Sequence, residues 1–255
     1  MTADFCRLTT AKTGFCAAVL LVAGCATAPA PDGALIADPY EETNRFVHDI
    51  NKDIDTVFLR PVAEGYGLFT PTLIQHMIAN GLHHLRLPAV FINRALQGDL
   101  EEAGAALARF SLNTIIGAGG LLDPAAEMGL PYTPSDFGVT LAVWGANEGV
   151  YHEIPFFGPQ TTRDVAGKIG GFLVDPTILI TFGVIDVSGV VTAVDYTRTA
   201  LAPVNGRHEN AELIDQLLYE TEDSYIAVRT GYVQSRRFEV SGEASNDLLP
   251  DIFGD

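Results

Sequence analysis

Glycines recur among large apolar residues along residues 109–164, and this stretch constrains the fold of the chain most. These glycines are Gly117, Gly119, Gly120, Gly129, Gly138, Gly145, Gly149 and Gly158. Glycine lacks a Cβ, so it adopts backbone conformations that other residues avoid and lets two backbones approach closely. The stretch therefore predicts unusual turns, or helices packed closely against a neighbour, and not an ordinary enzyme loop.

The N-terminus has the pattern of a bacterial lipoprotein signal. Arg7 and Lys12 precede a short apolar run over residues 14–23, and small residues then lead to Cys25. The run is well below the roughly 18 apolar residues that a spanning helix needs. We therefore expect Cys25 to carry acyl chains after cleavage. Ala26 follows the cysteine, where an aspartate would signal retention at the inner membrane. This favours a periplasm-facing position at the outer membrane.

The composition predicts one sizeable core and excludes some partners. The 255 residues are 47% hydrophobic and 18% charged, with 15 Lys and Arg against 32 Asp and Glu. The resulting net charge of -17 excludes nucleic acid as a partner, and it excludes attachment to an anionic membrane by charge alone. Contact with a bilayer therefore requires apolar surface or a lipid anchor.

Helical periodicity begins after a stretch rich in Ala, Pro and Gly. Asp38 is expected to cap a helix on which Phe46, Ile50, Ile54 and Phe58 share one face. Two interpretations of this apolar face are open. It packs on the core of a soluble bundle, or it lies on a membrane surface.

Residues 176–194 are almost wholly apolar, with Asp186 as the single charge. The segment is long enough to span a bilayer, but a spanning helix would hold a lipoprotein at the inner membrane, so we expect a buried or interface-lying helix. Another amphipathic helix is expected over residues 210–238, followed by an acidic stretch without basic residues. The predicted division is a lipoprotein signal peptide (1–24), a lipidated tether (25–37), one helical domain (38–238) and an acidic disordered tail (239–255).

Signatures of catalysis and of metal binding are missing from the sequence. No serine lies in a G-x-S-x-G motif. The His-Glu pairs at His152 and His208 begin like H-E-x-x-H, but Phe156 and Glu212 stand in place of the second histidine. All three cysteines lie within the first 25 residues, so neither a disulfide scaffold nor a cysteine-ligated zinc site is available. We expect no enzyme activity, no metal and no cofactor.

Ordered motifs are spread along residues 38–238. They read Asp38-Pro39-Tyr40-Glu41-Glu42-Thr43-Asn44-Arg45, Arg109-Phe110-Ser111-Leu112-Asn113, Asp123-Pro124, Asp136-Phe137-Gly138, Ile154-Pro155-Phe156-Phe157-Gly158-Pro159, Arg163-Asp164 and Tyr225-Ile226-Ala227-Val228-Arg229. Together these motifs resemble the MlaA/VacJ family of outer-membrane lipoproteins.

The resemblance implies an all-α fold and a role in phospholipid traffic. The fold would be a ring-like single domain of amphipathic and membrane-interface helices, with glycine-rich loops and a central hydrophilic channel, in the inner leaflet beside an outer-membrane porin trimer. The protein would collect phospholipid that has strayed into the outer leaflet and pass it to a periplasmic lipid-binding carrier, and indirectly to an inner-membrane ABC transporter.

The resemblance also supplies candidate channel residues. The polar motif positions that carry over are Asn44, Arg45, Arg109, Asn113, Asp123, Asp136, Arg163 and Asp164. The alternative for each of them is a helix cap or a buried ion pair.

The segment around Gly145 and Gly149 is the predicted gate. We expect a flexible loop beside the channel that continues through Phe156, Phe157 and Gly158, with the phenylalanines resting on acyl chains or on the ring. The alternative is a tight hairpin whose phenylalanines fill the core. Two rival functions also stay open: a porin-associated scaffold without its own channel, and a lipid hydrolase.

Overall fold

The computed structural model describes residues 35–174 and 197–241, and the chain is mostly helical in these ranges. The prediction of an all-α fold is confirmed, apart from one two-stranded sheet. None of the helices in the described ranges combines the length and the apolarity that crossing a bilayer requires. Outside the described residues lie the predicted signal peptide (1–24), Cys25, most of the tether (25–34), the apolar segment 176–194 and the tail beyond residue 241.

Short helices joined by short turns make up the described chain. The helices are α1 (Glu41–Ile54), α2 (Arg60–Phe69), α3 (Thr72–His84), α4 (Leu87–Gln97), α5 (Leu100–Ile115), α6 (Pro124–Glu127), α7 (Phe137–Val143), α8 (Thr162–Val174), α9 (Ala202–Glu209), α10 (Ala211–Asp215) and α11 (Ser224–Ser241). The strands are β1 (Tyr151–Ile154) and β2 (Gly158–Thr161). Single π-helical turns lie at Asp55–Leu59, Thr197–Leu201 and Gln216–Glu220.

Local sequence signals set several helix ends. The Asp99 carboxylate accepts a hydrogen bond from the Glu102 backbone N–H at 3.1 Å and caps α5. Gly98 ends α4 in the left-handed region, with a φ of 81°. The expected cap at Asp38 is wrong, because α1 begins later and without a side-chain cap. The Asp38 carboxylate pairs instead with Arg229 of α11, at 2.7 Å.

The faces of α1 are inverted relative to a helix of a soluble bundle. Its buried residues are Asn44 and His48, followed by Asp55 in the π-helical turn. Phe46 is 66% exposed and Phe58 is 64% exposed. Ile50 and Ile54 of the same face are half-buried, so the interpretation in which the whole apolar face packs on a soluble core is wrong. The interior beside α1 offers amide and carboxyl partners, so the polar face points inward and the apolar face points outward.

Polar side chains are also an unusually large share of the buried ones over the described residues as a whole. About as many polar or charged side chains as apolar ones are buried, whereas the buried positions of soluble proteins are mostly apolar. The most exposed of the large apolar side chains are Phe69, Ile115, Phe156, Val57 and Leu68. Extensive exposed apolar surface marks contact with a membrane or another protein.

The packed domain begins before residue 38. Ile36 is 3% exposed and belongs to a small apolar cluster with Tyr151, Tyr225 and Val233. The Ala37 carbonyl accepts a hydrogen bond from the backbone N–H of Tyr151 at 2.9 Å. The predicted tether (25–37) is therefore wrong at its end, because burial and backbone pairing fix these residues.

The opposite boundary also needs a correction. Helix α11 continues to Ser241, so the predicted domain end at residue 238 is too early and residues 239–241 do not belong to a disordered tail.

Close packing of glycines joins α7 to α8. A Cβ on Gly167 would lie 2.6 Å from the Cα of Gly138, which is too close for any side chain. The two helices therefore meet backbone to backbone at this point. The expectation that glycines permit close helix packing is confirmed here.

An antiparallel hairpin of β1 and β2 occupies part of the predicted loop, with Tyr151 opposite Thr161. The prediction of a flexible loop included no strands, whereas backbone pairing and contacts to α1 give residues 151–154 and 158–161 regular structure. The mobility of this segment stays a prediction. The alternative of a tight hairpin is wrong in one respect, since Phe156 and Phe157, at the hairpin tip, are 81% and 68% exposed and do not fill the core. A gating role for this hairpin stays a prediction.

Candidate functional site

Two asparagines of α1 hold the hairpin. Asn44 donates to the carbonyl of Tyr151 at 3.2 Å and accepts from the N–H of Glu153 at 3.0 Å. Asn51 donates to the carbonyl of Ile154 at 3.1 Å and accepts from the N–H of Phe156 at 2.8 Å. Residues seven apart lie two turns along the same helix face. The inner face of α1 therefore fixes both ends of β1 and the hairpin tip.

A buried carboxylate, Glu153, lies between the hairpin and α1. It accepts hydrogen bonds from Asn51 Nδ2 at 3.2 Å and from the hydroxyl of Tyr151. His48 Nδ1 lies 3.8 Å from Glu153 Oε1. Burial, together with the adjacent carboxylate, raises the pKa of Tyr151 well above its ordinary value, so this hydroxyl stays protonated and donates to Glu153.

A cavity of about 230 Å³ adjoins this carboxylate, between α1, the hairpin and the C-terminal helices. The polar residues of its lining are His48, Asn51, Lys52 and Glu153. The other lining residues are Ile214, Leu217, Leu218, Val228, Gly158 and Pro159, and most of the accessible surface of the cavity is apolar. The cavity can therefore accommodate an amphipathic group.

A second polar cluster joins α7, α8 and α11. Arg236 donates to Asp164 at 2.7 Å and to both oxygens of Asp136 at 3.1 Å. Thr161 and Tyr232 also donate to Asp164. Burial opposes the charged form of Asp164, but the hydrogen bond and charge of Arg236 outweigh it and hold the pKa of this carboxyl below its ordinary value.

A third cluster lies at the C-terminal end of α5. Arg109 donates to Asp123 at 2.6 Å and also to the carbonyl of Leu130. Asn113 donates to Asp123 at 2.8 Å and accepts from the N–H of Ala125 at 3.2 Å. Burial opposes the charge on Asp123, yet the hydrogen bonds from Asn113 and Arg109 lower its pKa. The cluster fixes the glycine-rich turn that follows α5.

The remaining candidates differ in exposure. Arg45 forms two hydrogen bonds to Asp223 at 2.9 and 3.0 Å on the surface, and its guanidinium lies 4.5 Å from the Tyr225 ring centroid. Arg163 is buried next to Asp164, with 3.9 Å between Nε and the carboxylate. Arg45 thus lies outside the buried interior, and Arg163 lies within it.

The predicted polar residues therefore fall into separate clusters. Asp123 and Asp136 cap α6 and α7 as well as binding arginines, and Asn44 holds the hairpin. These side chains form ion pairs or hydrogen bonds with other parts of the protein. This agrees with the alternative interpretation, in which they are helix caps or members of buried ion pairs. A direct channel-lining role for them stays a prediction.

Sequence reasoning missed one buried ion-pair network. Asp55 accepts from Arg207 at 2.8 and 3.1 Å and from the hydroxyl of Tyr219 at 2.8 Å. Arg207 also pairs with Asp215. Asp55 lies on the inner face of α1 after Asn44, and this spacing is a local signal for one partner. No local signal identifies Arg207, which is 152 residues away.

No group of His, Cys, Asp or Glu in the described part of the chain is arranged to hold a metal ion.

Known proteins match this chain over most of its length. A family model described as "MlaA lipoprotein" matches residues 36–239. The Escherichia coli (strain K12) protein named "Intermembrane phospholipid transport system lipoprotein MlaA" is 33% identical over 229 residues, which cover 87% of this chain and 85% of that protein. An uncharacterized protein of Rickettsia felis is 30% identical over 206 residues, which cover 80% of this chain and 78% of that protein.

A solved structure is also similar. It is described as "Structural basis for maintenance of bacterial outer membrane lipid asymmetry" and matches with a TM-score of 0.65 and 29% identity, over 80% of this chain and 98% of that chain. The sequence matches and this structural match agree with the motifs along the chain. The chain belongs to the MlaA lipoprotein family.

Proposed function

We propose that the protein is anchored in the outer membrane through Cys25, facing the periplasm, and removes misplaced phospholipid from the outer leaflet. It passes this lipid to a periplasmic lipid-binding carrier, from which an inner-membrane ABC transporter receives it, and it works beside a porin trimer. The effect is to maintain lipid asymmetry. The name of the 33% identical relative, which includes intermembrane phospholipid transport, supports this role.

The inverted polarity of the molecule is the observation that carries the proposal. Phe46 and Phe69 are exposed on the outside of α1 and α2, while Asn44 and His48 are buried on the inside. A protein in contact with acyl chains keeps its apolar side chains outside and its polar groups inside. This arrangement suits a ring of interface helices around a hydrophilic channel.

The energetics of lipid transfer explain why both surfaces are needed. At about 0.8 kcal/mol per methylene, two acyl chains with roughly thirty methylenes would cost on the order of 20 kcal/mol if they were released bare into water. The polar headgroup, in turn, cannot cross hydrocarbon cheaply. The path therefore has to solvate the headgroup while the chains stay in apolar surroundings until a carrier takes them.

The cavity beside Glu153 supplies both kinds of surface. Leu217 and Val228 belong to its mostly apolar lining and suit acyl chains, and the lining residues Lys52 and Asn51 offer polar groups to a headgroup. Its volume of about 230 Å³ is below the roughly 300–1,000 Å³ of pockets that enclose drug-sized ligands. In this proposal the cavity therefore holds part of a phospholipid during passage.

The hairpin is the gate in this proposal. Phe156 and Phe157 at its tip are exposed and rest on acyl chains. Gly145, Gly149 and Gly158 all have positive φ. Gly145 and Gly149 lie in the segment that leads into the hairpin, and Gly158 lies at its turn. Movement of the hairpin relative to α1 opens and closes the path.

The experiment fills the cavity without changing the outside. A deletion strain receives the wild-type gene, the Val228→Trp variant or the Val57→Trp variant. Val228 lines the cavity, whereas Val57 is 78% exposed on the outer apolar face. Phospholipid in the outer leaflet, protein level and porin co-purification are then measured in each strain.

We expect Val228→Trp to leave surface phospholipid high while porin co-purification stays normal, and Val57→Trp to restore clearance. Equal clearance by both variants would contradict a lipid path through the cavity. A pure scaffold predicts that equality, so the same experiment separates the two functions.

A further inference from the structure

His48 and Glu153 line the cavity, and Ser224 lies next to His48. Ser224 Oγ lies 3.0 Å from His48 Nε2, and His48 Nδ1 lies 3.8 Å from Glu153 Oε1. The three residues come from α11, α1 and β1. The serine is within hydrogen-bond distance of one ring nitrogen, and the carboxylate faces the other at ion-pair distance. This is the order of a nucleophile, its general base and the group that orients the base.

Surrounding contacts fix this arrangement. The His48 and Glu153 side chains are only 3% and 2% exposed. Asn51 and the Tyr151 hydroxyl bind the Glu153 carboxylate, and the His48 ring packs edge-on against Tyr225 with 5.7 Å between centroids. Groups held in this way need little reorganisation during a reaction.

Positive charge is present next to the Ser224 hydroxyl. Ser224 is half-buried and is the first residue of α11, an 18-residue helix whose N-terminus carries a partial positive charge. Lys52 Nζ lies 3.4 Å from Ser224 Oγ. The hydroxyl can therefore donate to His48 while it accepts from Lys52, and Lys52 can stabilise negative charge next to the attacked carbon.

The adjoining cavity provides space for a substrate. His48, Lys52 and Glu153 are among its polar lining residues, and Leu217, Leu218 and Val228 are among its apolar ones. An acyl chain along the apolar residues would bring its ester group towards His48 and Lys52, which lie 3.0 and 3.4 Å from Ser224 Oγ.

We propose that this trio is an ester-hydrolase site for amphipathic acyl esters, such as lysophospholipids. Ser224 is the nucleophile, His48 is the general base, and Glu153 is a positioning residue whose nearby charge favours a proton on His48 Nδ1. The activity is separate from the proposed removal of phospholipid and does not depend on it.

The reaction is balanced with water as the second reactant. Ser224 Oγ adds to the ester carbonyl carbon and gives its proton to His48 Nε2. The adduct expels the alcohol, which takes that proton, and leaves an acyl-serine. Water then adds to the acyl carbon with His48 again accepting the proton, and Ser224 leaves with that proton as the carboxylic acid forms.

The first test is labelling of the full-length lipoprotein in detergent with a fluorophosphonate, which forms a phosphorus–oxygen bond to an activated serine and releases fluoride. Wild type, Ser224→Ala and Ser111→Ala are compared, because Ser111 is an exposed serine bonded only within its own helix, to the Leu107 carbonyl. We expect mass spectrometry to locate the adduct on Ser224, and labelling to fall at least tenfold in Ser224→Ala alone. Wild-type labelling no greater than that of folded Ser224→Ala would overturn the proposal.

The second test measures hydrolysis of p-nitrophenyl octanoate and of lysophosphatidylcholine. Loss of the general base in His48→Gln should lower kcat by about 100-fold or more. Glu153→Gln keeps the shape of the side chain but removes its charge, so we expect a lower kcat with KM within about twofold of the wild-type value. Turnover that is undetectable in wild type, or unchanged in Ser224→Ala, would refute the hydrolase site.

Discussion

Buried charges in this protein are held by partners from distant parts of the chain. Arg236 of α11 lies between Asp136 and Asp164, and its side chain is 12% exposed. Burial opposes its charge, but the two carboxylates raise the pKa of Arg236 above its ordinary value. Removing one member of such a group leaves an uncompensated charge in the interior.

Asp164→Asn should therefore destabilise the domain strongly. We expect the free energy of unfolding to fall by about 3 kcal/mol. This is the lower end of the range for a broken buried ion pair, because Asp136 still pairs with Arg236. The matched control is Glu64→Gln, which breaks the exposed pair with Arg60 and should cost less than about 1 kcal/mol. Denaturant unfolding measures both changes, and equal losses would show that the Asp164 pair is no stronger than a surface contact.

The same residue makes stability depend on pH. The pKa of Asp164 is lower in the folded state than its ordinary value, so the unfolded state binds the proton more readily and stability falls as the pH drops. The difference in unfolding free energy between wild type and Asp164→Asn should have its full value above about pH 5 and should become smaller below about pH 4. A difference that stays constant from pH 7 to pH 3 would contradict this assignment.

At the scale of the elements, local signals mark the boundary between α4 and α5, whereas the sequence left both a flexible loop and a tight hairpin open for residues 145–158. Gly98 and Asp99 are local signals with a direct physical meaning, and the structure has the helix end and the helix start that they predict. The strand β1 has only four residues, and its pairing with β2 depends on Asn44 and Asn51 of α1. Contacts between residues that are more than 100 positions apart leave no pattern in the sequence of the strand itself.

Two hairpin glycines should differ in their tolerance of a side chain. A Cβ at Gly149 would lie 2.7 Å from Thr162, and its φ is 76°, whereas Gly145, with a φ of 93°, has open space around it. Both alanine substitutions carry a backbone cost of about 1–2 kcal/mol, but Gly149→Ala also clashes. We expect the larger loss of unfolding free energy in Gly149→Ala, and the reverse order would contradict the hairpin geometry. Proline would fit neither glycine, since its φ is near −65°, so proline variants would report strain and not mobility.

Release of the hairpin from α1 tests the gate. Asn51→Leu removes the hydrogen bonds to Ile154 and Phe156, so we expect faster amide hydrogen exchange in β1 and β2 and altered clearance of surface phospholipid. The control is Asn80→Leu, which removes an exposed bond to the Leu121 carbonyl on another part of the fold. Faster exchange without any change in clearance would argue that the hairpin does not gate the path.

At the scale of the whole molecule, sequence periodicity identified the apolar stripe of α1 but not the direction in which it faces. Phe46 and Phe58 recur with helical spacing whether a helix faces a core or a membrane, so the period alone leaves both open. The structure supplies the direction, because Asn44, His48 and Asp55 occupy the inside. Long-range partners such as Arg207 likewise could not be predicted from the sequence, because no local rule links two residues on separate helices.

Contact between the outer surface and acyl chains is the central claim. Trp144 is the single tryptophan, and its indole donates to the Leu96 carbonyl at 3.0 Å. In a Trp144→Phe background one new tryptophan is introduced at a time, at Phe46 of α1, at Phe58 of the π-helical turn that follows, or at the exposed Asp49 as a control.

The most direct measurement is fluorescence quenching of these single tryptophans in the full-length lipoprotein, in bilayers with lipids brominated on their acyl chains. We predict strong quenching at positions 46 and 58 and weak quenching at position 49, with aqueous iodide giving the opposite order. Equal exposure of all three positions to iodide, without quenching by the brominated chains, would contradict the account.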